Sequence, residues 1–280
     1  DDGRMETQKR KQKEKEKAER RMKIVAGLGS VDEYIPYVLA GADELFCGYV
    51  PYNWTKKYGT VLPLNRREVL AYNVQLGSFS ELEILSAMIR KYRKPVHIAM
   101  NSLYYIPEQY EEIADIVKQC MKIGFDSFIL ADPALILYLR QKGISCKIHL
   151  SGEVGEMNRE AIKVFREMGI GRIIFHRKNT VASMRQMIEA VNAEKLEFEA
   201  FALNELCQFT GAFCNSLHCD EMGYLCRTTY WGDAEMEERM ERVIKRTLEI
   251  EEQQYLCGKS GCALCALPQL EAAGITHLKL

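Results

Sequence analysis

The sequence predicts an α/β protein, a TIM-like (β/α)8 barrel with a cysteine-rich loop after strand seven. Three observations carry that expectation. Eight short apolar runs recur between residue 22 and the last residue, seven of them lead into a stretch of helical character, and polar or ionisable residues collect just past the runs. Regular strand–helix alternation implies parallel strands joined by crossover helices. Eight such units fit a closed barrel better than an open doubly wound sheet, and 280 residues suit one domain of that kind.

Strand one is the apolar run at 23–27, after which Ser30 caps a helical stretch ending at residue 40. Strand two covers 44–47. The long segment 49–77 follows, rich in Tyr and Asn, with Trp54 inside it. Its aromatic part, 49–58, reads either as a lid over an apolar ligand or as a loop packed onto the barrel. Ser80 and Glu83 are spaced as a capping box for a helix running to residue 91. Strand three spans 95–101, and Pro107 opens a helix to residue 121. Strand four spans 127–131, with Pro133 in the first turn of a helix that stops before Gly143. Strand five is 147–150 with a helix at 158–167, and strand six is 172–175 with a helix from Thr180 to residue 193. Strand seven spans 197–203. Beyond the cysteine-rich loop come a charged helix at 233–254, a short helical piece at 268–273 and strand eight at 276–280.

Composition narrows the function classes. A chain with 47% hydrophobic and 28% charged residues is ordinary for a globular protein. Its net charge of -1 argues against nucleic-acid binding driven by bulk charge. No apolar run is long enough to cross a membrane, and no apolar signal core opens the chain, so a cytoplasmic location is expected. Residues 1–21 read as a charged tail, a solvated face or a docking arm for a partner. Residues 22–280 then form the barrel domain, with a cysteine-rich insertion at 204–265.

Cysteine is the exceptional residue. There are ten, and seven of them fall in the last third of the chain. Without a secretion signal such a cluster reads as a metal site before a disulfide framework. Cys47, Cys120 and Cys146 stand in apolar runs and read as core fillers. Cys207, Cys214 and Cys226 are separated by six and eleven residues, with Cys257, Cys262 and Cys265 further on. Thiolates are soft ligands for an iron–sulfur cluster or for zinc. The long, uneven gaps favour cluster ligands converging at a barrel mouth, with zinc and free redox-active thiols as the other readings.

In such a barrel the C-terminal strand ends carry the functional groups. Ser30, Gly48, Tyr49, Asn101, Asp132, Ser151, Glu153, His176, Arg177, Asn204 and Cys207 stand there. His149 and Glu153 form a candidate acid/base pair, although His149 inside a strand also reads as a core residue. His176 and Arg177 end strand six, and Arg177 is a candidate clamp for a carboxylate or phosphate, or else an ion-pair partner. Asp132, directly before Pro133, reads first as a helix cap. His218, in the cysteine loop, is a candidate non-cysteine ligand or an exposed residue. No phosphate loop, nucleophile elbow or His-Glu-x-x-His motif occurs.

From about Met22 onward the chain resembles the collagenase-like peptidases, peptidase family U-32, a prokaryotic family that includes oxygen-independent hydroxylases of ubiquinone synthesis and of RNA bases. The matching residues are Gly41-Ala42-Asp43 with Gly48, the run 96–101 ending in Asn101, Asp132-Pro133, Ile148-His149-Leu150-Ser151, Asn158 and Arg177. The signature residues are Glu199, Phe201, Cys207 and Cys214, then Cys226-Arg227, and Cys262 shortly before Leu267-Pro268. The resemblance implies that Cys207, Cys214, Cys226 and Cys262 hold a [4Fe-4S] cluster, with Cys219, Cys257 and Cys265 as substitutes. It also implies oxidation or oxygen-independent hydroxylation of a small molecule or nucleobase, with a partner subunit or electron donor. The family's name offers hydrolysis of peptides instead, and a cluster- or zinc-stabilised partner subunit is the non-catalytic alternative. The chain departs from the family at Leu203-Asn204-Glu205, at Gly211 and at Lys178 after Arg177, which leaves the substrate open.

Overall fold

The eight apolar runs become eight parallel strands that close on one another. The computed structural model describes residues 21–59, 63–66, 75–155, 157–191, 196–203, 214, 255–257 and 261–280. The strands are β1 Lys23–Leu28, β2 Glu44–Gly48, β3 Val96–Met100, β4 Ser127–Leu130, β5 Lys147–Leu150, β6 Arg172–Ile174, β7 Glu197–Phe201 and β8 His277–Lys279. Each pairs with its neighbour in sequence order, and β1 pairs with β8 to complete the barrel. The expected (β/α)8 architecture is therefore present. The tail before Arg21, the helix expected at 233–254 and most of the cysteine-rich insertion lie outside the described residues.

The described helices are α1 Tyr34–Ala40, α2 Tyr52–Tyr58, α3 Phe79–Tyr92, α4 Pro107–Lys122, α5 Pro133–Gln141, α6 Arg159–Glu167, α7 Val181–Ala190 and α8 Leu267–Ala272. Their starts follow local chemistry. Asp132 accepts from the Ala134 N–H at 2.8 Å ahead of Pro133, so the cap reading of Asp132 holds. Asn158 and Thr180 cap α6 and α7 in the same way. The capping box of α3 sits two residues earlier than the sequence spacing indicated. Ser78 Oγ accepts from the Glu81 N–H at 3.3 Å, and Glu81 accepts from the Ser78 N–H at 2.9 Å. Two overlapping Ser-x-x-Glu frames compete here, and the earlier one also satisfies the Gly77 N–H.

Side chains alternate between the bore and the outer layer with the two-residue period of a strand. The outward set, including Leu45, Cys47, Ile98, Phe128, Leu130, Ile148, Leu150 and Ile173, is buried beneath the helices. Cys47, Cys120 and Cys146 all belong to that apolar core. Trp54 and Tyr49 are buried as well, so these two rings pack onto the barrel, while Tyr52 at the start of α2 is exposed.

The inward set stacks in layers of four, drawn from alternate strands as the pairing register requires. From the base upward these are Glu44, Ser127, Arg172 and His277; then Val25, His97, His149 and Glu199; then Phe46, Ile129, Ile174 and Lys279; and at the mouth Gly27, Ala99, Ser151 and Phe201. Barrel interiors are normally filled by branched apolar residues. Here the two lower layers are mainly ionic, and the apolar residues move up toward the mouth.

The base layers are bound together by direct contacts. Arg172 donates to Glu44 at 2.8 Å, to Glu197 at 2.7 Å and to Glu199 at 3.0 Å. His97 lies between Ser127 Oγ and Glu44, and His277 Nε2 is 3.2 Å from Glu44. Burial opposes the charge on Glu44, but hydrogen bonds from His277 and His97, with Arg172 beside them, hold its carboxyl well below the usual range.

Candidate active site at the barrel mouth

The upper layers enclose a cavity of about 330 Å³ at the C-terminal end of the barrel. Its floor is Phe46, Ile129, Ile174 and Lys279, and its walls are the mouth layer. Gly27 belongs to that wall for a steric reason. A Cβ there would come within 2.9 Å of the Phe46 ring, so only glycine leaves the ring and the cavity where they are. The rim is polar: Arg66, Asn101, Glu153 and Arg177.

Each rim residue is positioned by a short element. Glu153 sits in the 3-10 turn Gly152–Val154 directly after β5, where Ser151 Oγ accepts its N–H at 3.3 Å. Arg177 follows β6, and its guanidinium carbon stands 4.9 Å from the centre of the Phe201 ring. Arg66 comes from the segment between α2 and α3, and its N–H is tied to Asn101 Oδ1 at 3.1 Å. Asn101 in turn donates to Ser151 Oγ at 3.4 Å.

The two guanidiniums share one carboxylate. Arg66 Nε lies 3.3 Å from one Glu153 oxygen, and Arg177 Nη2 lies 3.4 Å from the other. All three side chains are close to nine-tenths buried. Arg66 Nη2 and Arg177 Nε have no hydrogen-bond partner among the described residues. Arg66 Nη1 donates to the Cys214 carbonyl at 2.8 Å. A buried trio with two cations and one anion carries a net positive charge and presents unused N–H groups, an arrangement that receives a carboxylate, phosphate or other anionic group.

Lys279 adds a cation on the floor, 3.2 Å from Glu199 and 3.5 Å above the Phe46 ring centre. Burial disfavours the charged form of Glu199, but Lys279 and Arg172 outweigh it and keep the carboxyl below its ordinary range. The signature residue Glu199 is thus an ion-pair anchor between the mouth cation and the base network.

Glu153 and Arg177 therefore meet in the cavity as the sequence placed them, joined by Asn101 and Ser151 from the same list of strand ends. His149 does not join them. It lies two layers down, its ring 4.4 Å from that of His97 and tilted to it, and it borders a second cavity of about 600 Å³ at the barrel base. Burial holds its pKa well below the ordinary histidine value, so the ring is neutral near pH 7. The core reading of His149 fits this position, and the acid/base pairing with Glu153 has no geometric support. His176 is buried beside the cavity, with Nδ1 accepting the Lys178 N–H at 3.2 Å, and is not among the lining residues.

Two of the four nominated cysteine ligands are described. Cys214 is buried against Arg66, and Cys262 is half-buried at the end of β7. Cys262 bridges Leu203 on one side and Cys257 on the other, exchanging both backbone hydrogen bonds with Cys257 at 2.9 Å. Cys207, Cys226, Cys219 and His218 lie outside the described residues. Among the described residues, no three His, Cys, Asp or Glu side chains converge as a metal site. Both described nominees nevertheless stand at the mouth end of the barrel, and thiolates are the donor type that an iron–sulfur cluster or zinc takes.

Sequence reasoning missed Arg66 and Lys279. Lys279 had a usable signal, because the two-residue alternation of β8 turns it inward with His277. Arg66 had none, since it belongs to a long segment without periodicity.

Among the described residues no helix is long and apolar enough to cross a membrane. The tRNA hydroxylation protein P1 of Bacillus subtilis is 22% identical over 217 residues, covering 76% of this chain and 47% of that protein. The tRNA hydroxylation protein P of Escherichia coli is 25% identical over 174 residues, covering 62% of this chain and 34% of that one. The chain thus spans half or less of the length of these relatives. The solved structure of the U32 peptidase Mk0906 shares the fold, with a TM-score of 0.53 and 12% identity over 92% of each chain. The family model described as peptidase family U32 matches residues 29–280, so nearly all of the barrel described above is accounted for, and the chain belongs to that family.

Proposed function

We propose that this barrel is a hydroxylating enzyme whose substrate is a nucleobase in RNA, and that it works with a [4Fe-4S] cluster at the mouth. The observation that carries the reading is the cavity in which Arg66 and Arg177 meet Glu153 at the rim above Lys279 on the floor, with Arg66 also bonded to the Cys214 carbonyl. The likeness to tRNA hydroxylation proteins supports the reaction class and the nucleic-acid substrate. The net charge of -1 means that a polynucleotide would be held by a local surface rather than by the whole chain's field.

Cys207, Cys214, Cys226 and Cys262 would hold the cluster, which when bound supplies one-electron transfer beside the pocket. The chain's own residues bind and orient. Arg66 and Arg177 take an anionic group with their unused N–H donors, Glu153 keeps the two guanidiniums together at the rim, and Phe46, Ile129 and Ile174 keep the floor dry. Oxygen-independent hydroxylation replaces C–H by C–OH; with water as the oxygen source it releases two protons and two electrons, which a two-electron acceptor takes up.

Peptide hydrolysis, the activity in the family name, asks for an activated nucleophile. Among the described mouth residues, Ser151 is the hydroxyl in the cavity, and its neighbours are the Glu153 N–H and Asn101 rather than a histidine. The test is direct. Anaerobically purified protein is incubated with unmodified tRNA, a cell-derived small-molecule fraction and a chemical electron acceptor, and the nucleosides are read by mass spectrometry. A hydroxylated nucleoside that disappears with Arg177→Ala supports the proposal. Its absence, with cleavage of a peptide library by the same preparation, would overturn it.

A further inference from the structure

Arg66 touches both halves of the mouth. Its guanidinium faces Glu153 through Nε at 3.3 Å and donates through Nη1 to the Cys214 carbonyl at 2.8 Å, while its own N–H is held by Asn101. Arg177, on the other side of Glu153, lies over the Phe201 ring. Among the described residues the two arginines therefore differ in one respect: Arg66 hydrogen-bonds the backbone of a nominated ligand, Cys214, and Arg177 does not.

We infer that Arg66 is a positioning residue that couples the anion pocket to the cysteine-rich segment. Resting on the reading above, this gives the pocket a mechanical link to Cys214. A guanidinium is a planar fork with five donors in fixed directions, so the hydrogen bond to the Cys214 carbonyl on one edge sets the direction in which the Nε edge faces the Glu153 carboxylate. A group entering the pocket and competing for Glu153 or for Arg66 Nη2 pulls on the same side chain that fixes Cys214. A lysine in its place would keep the charge and lose that geometry, because an ammonium has no fixed fork.

The test uses the full chain stripped of metal and follows alkylation of each cysteine by iodoacetamide, mapped by mass spectrometry. Cys47, Cys120 and Cys146 are buried in the apolar core and serve as internal controls. Arg66→Met is expected to raise the Cys214 rate about tenfold or more while the three core thiols keep theirs, and Arg177→Met is expected to leave Cys214 unchanged. Arg66→Lys should fall between, and it carries the comparison if the methionine variant does not fold. Glu153→Gln should raise the Cys214 rate about threefold, because Arg66 loses its counter-charge. A simple loss of stability would accelerate all four thiols together and would overturn the assignment. So would a Cys214 rate that Arg66→Lys leaves at the wild-type value. An unchanged rate in Glu153→Gln would overturn the coupling to the pocket. Iron reconstitution then separates the two claims: wild-type protein that binds no iron would defeat the cluster reading alone and leave the alkylation result standing.

Discussion

At the base of the bore, the Arg172 guanidinium meets three carboxylates, Glu44, Glu197 and Glu199, at 2.7 to 3.0 Å. At the mouth, two guanidiniums meet one carboxylate, Glu153, at 3.3 and 3.4 Å. The residue types are alike and the stoichiometry is reversed. Around the base, the outer cations are also matched, Lys23 with Glu44 and Lys147 with Asp126. Buried charge is tolerated only where it is paired and hydrogen-bonded. The charged groups of the base are therefore paired with one another, with His149 Nδ1 the unpartnered atom beside them, whereas the mouth keeps guanidinium N–H donors without a partner among the described residues. A charge-paired cluster marks structure, and a cluster of the same residue types with cationic donors left over marks a site.

The largest effect expected from this contrast is at the base. Arg172→Met leaves Glu44 and Glu199 buried without the guanidinium they share, and breaking a buried pair in this way costs about 3–5 kcal/mol. Urea unfolding should show that loss or a failure to fold. A loss below about 1 kcal/mol would mean that the base network is not what holds the lower bore. At the mouth, Arg177→Ala should change unfolding by no more than about 1 kcal/mol, because Glu153 keeps Arg66 as its counter-charge and no carboxylate is left buried alone. Binding of an anionic ligand should suffer far more, by about 30-fold or greater, as expected when one buried charge of a recognition pair is removed. Equal effects on stability and binding would erase the distinction between the two ends.

The pH dependence sharpens it further. His97 and His149 are both held below the ordinary histidine pKa, chiefly by burial. The unfolded chain thus binds protons near pH 6.5 that the folded chain does not, so stability is full above that pH and falls as pH drops through it, by about 1.4 kcal/mol for each unit of depression. Glu44 and Glu199, whose pKa values are lowered, add a second loss below their unfolded values near 4.5. His149→Phe should flatten the first part of the profile and leave the second. A profile unchanged by that substitution would mean that His149 is charged in the folded protein.

How far the sequence reached is clear from these same residues. The barrel was legible because eight strand–helix units repeat, and each repeat is fixed by local chemistry: alternation, caps and prolines. Glu153 and Arg177 were legible because they follow strands directly, so the fold alone delivers them to one rim. His149 was placed correctly on its strand, but a single strand does not tell how deep in the bore a side chain lies. That depends on the stagger between strands, which sets His149 beside His97 and two layers below Ser151. Arg66 could not be read at all, since a long segment has no period, and its position is decided by Asn101 and Glu153 from other strands. The smallest predicted effect checks the same distinction at α3. Ser78→Ala should cost about 1 kcal/mol and Ser80→Ala less than about 0.5 kcal/mol, because only the first accepts the Glu81 N–H. Thermal unfolding of the two variants decides between the two overlapping frames.

The measurement that bears most directly on the mouth as a redox site is the iron and acid-labile sulfide content of protein purified without oxygen, taken with its absorption spectrum. The account predicts about four of each per chain and a broad thiolate-to-iron band, lost together in Cys214→Ala. Zinc at one per chain, or no metal with the cysteines freely reactive, would contradict it and return the mouth to a plain anion-binding pocket.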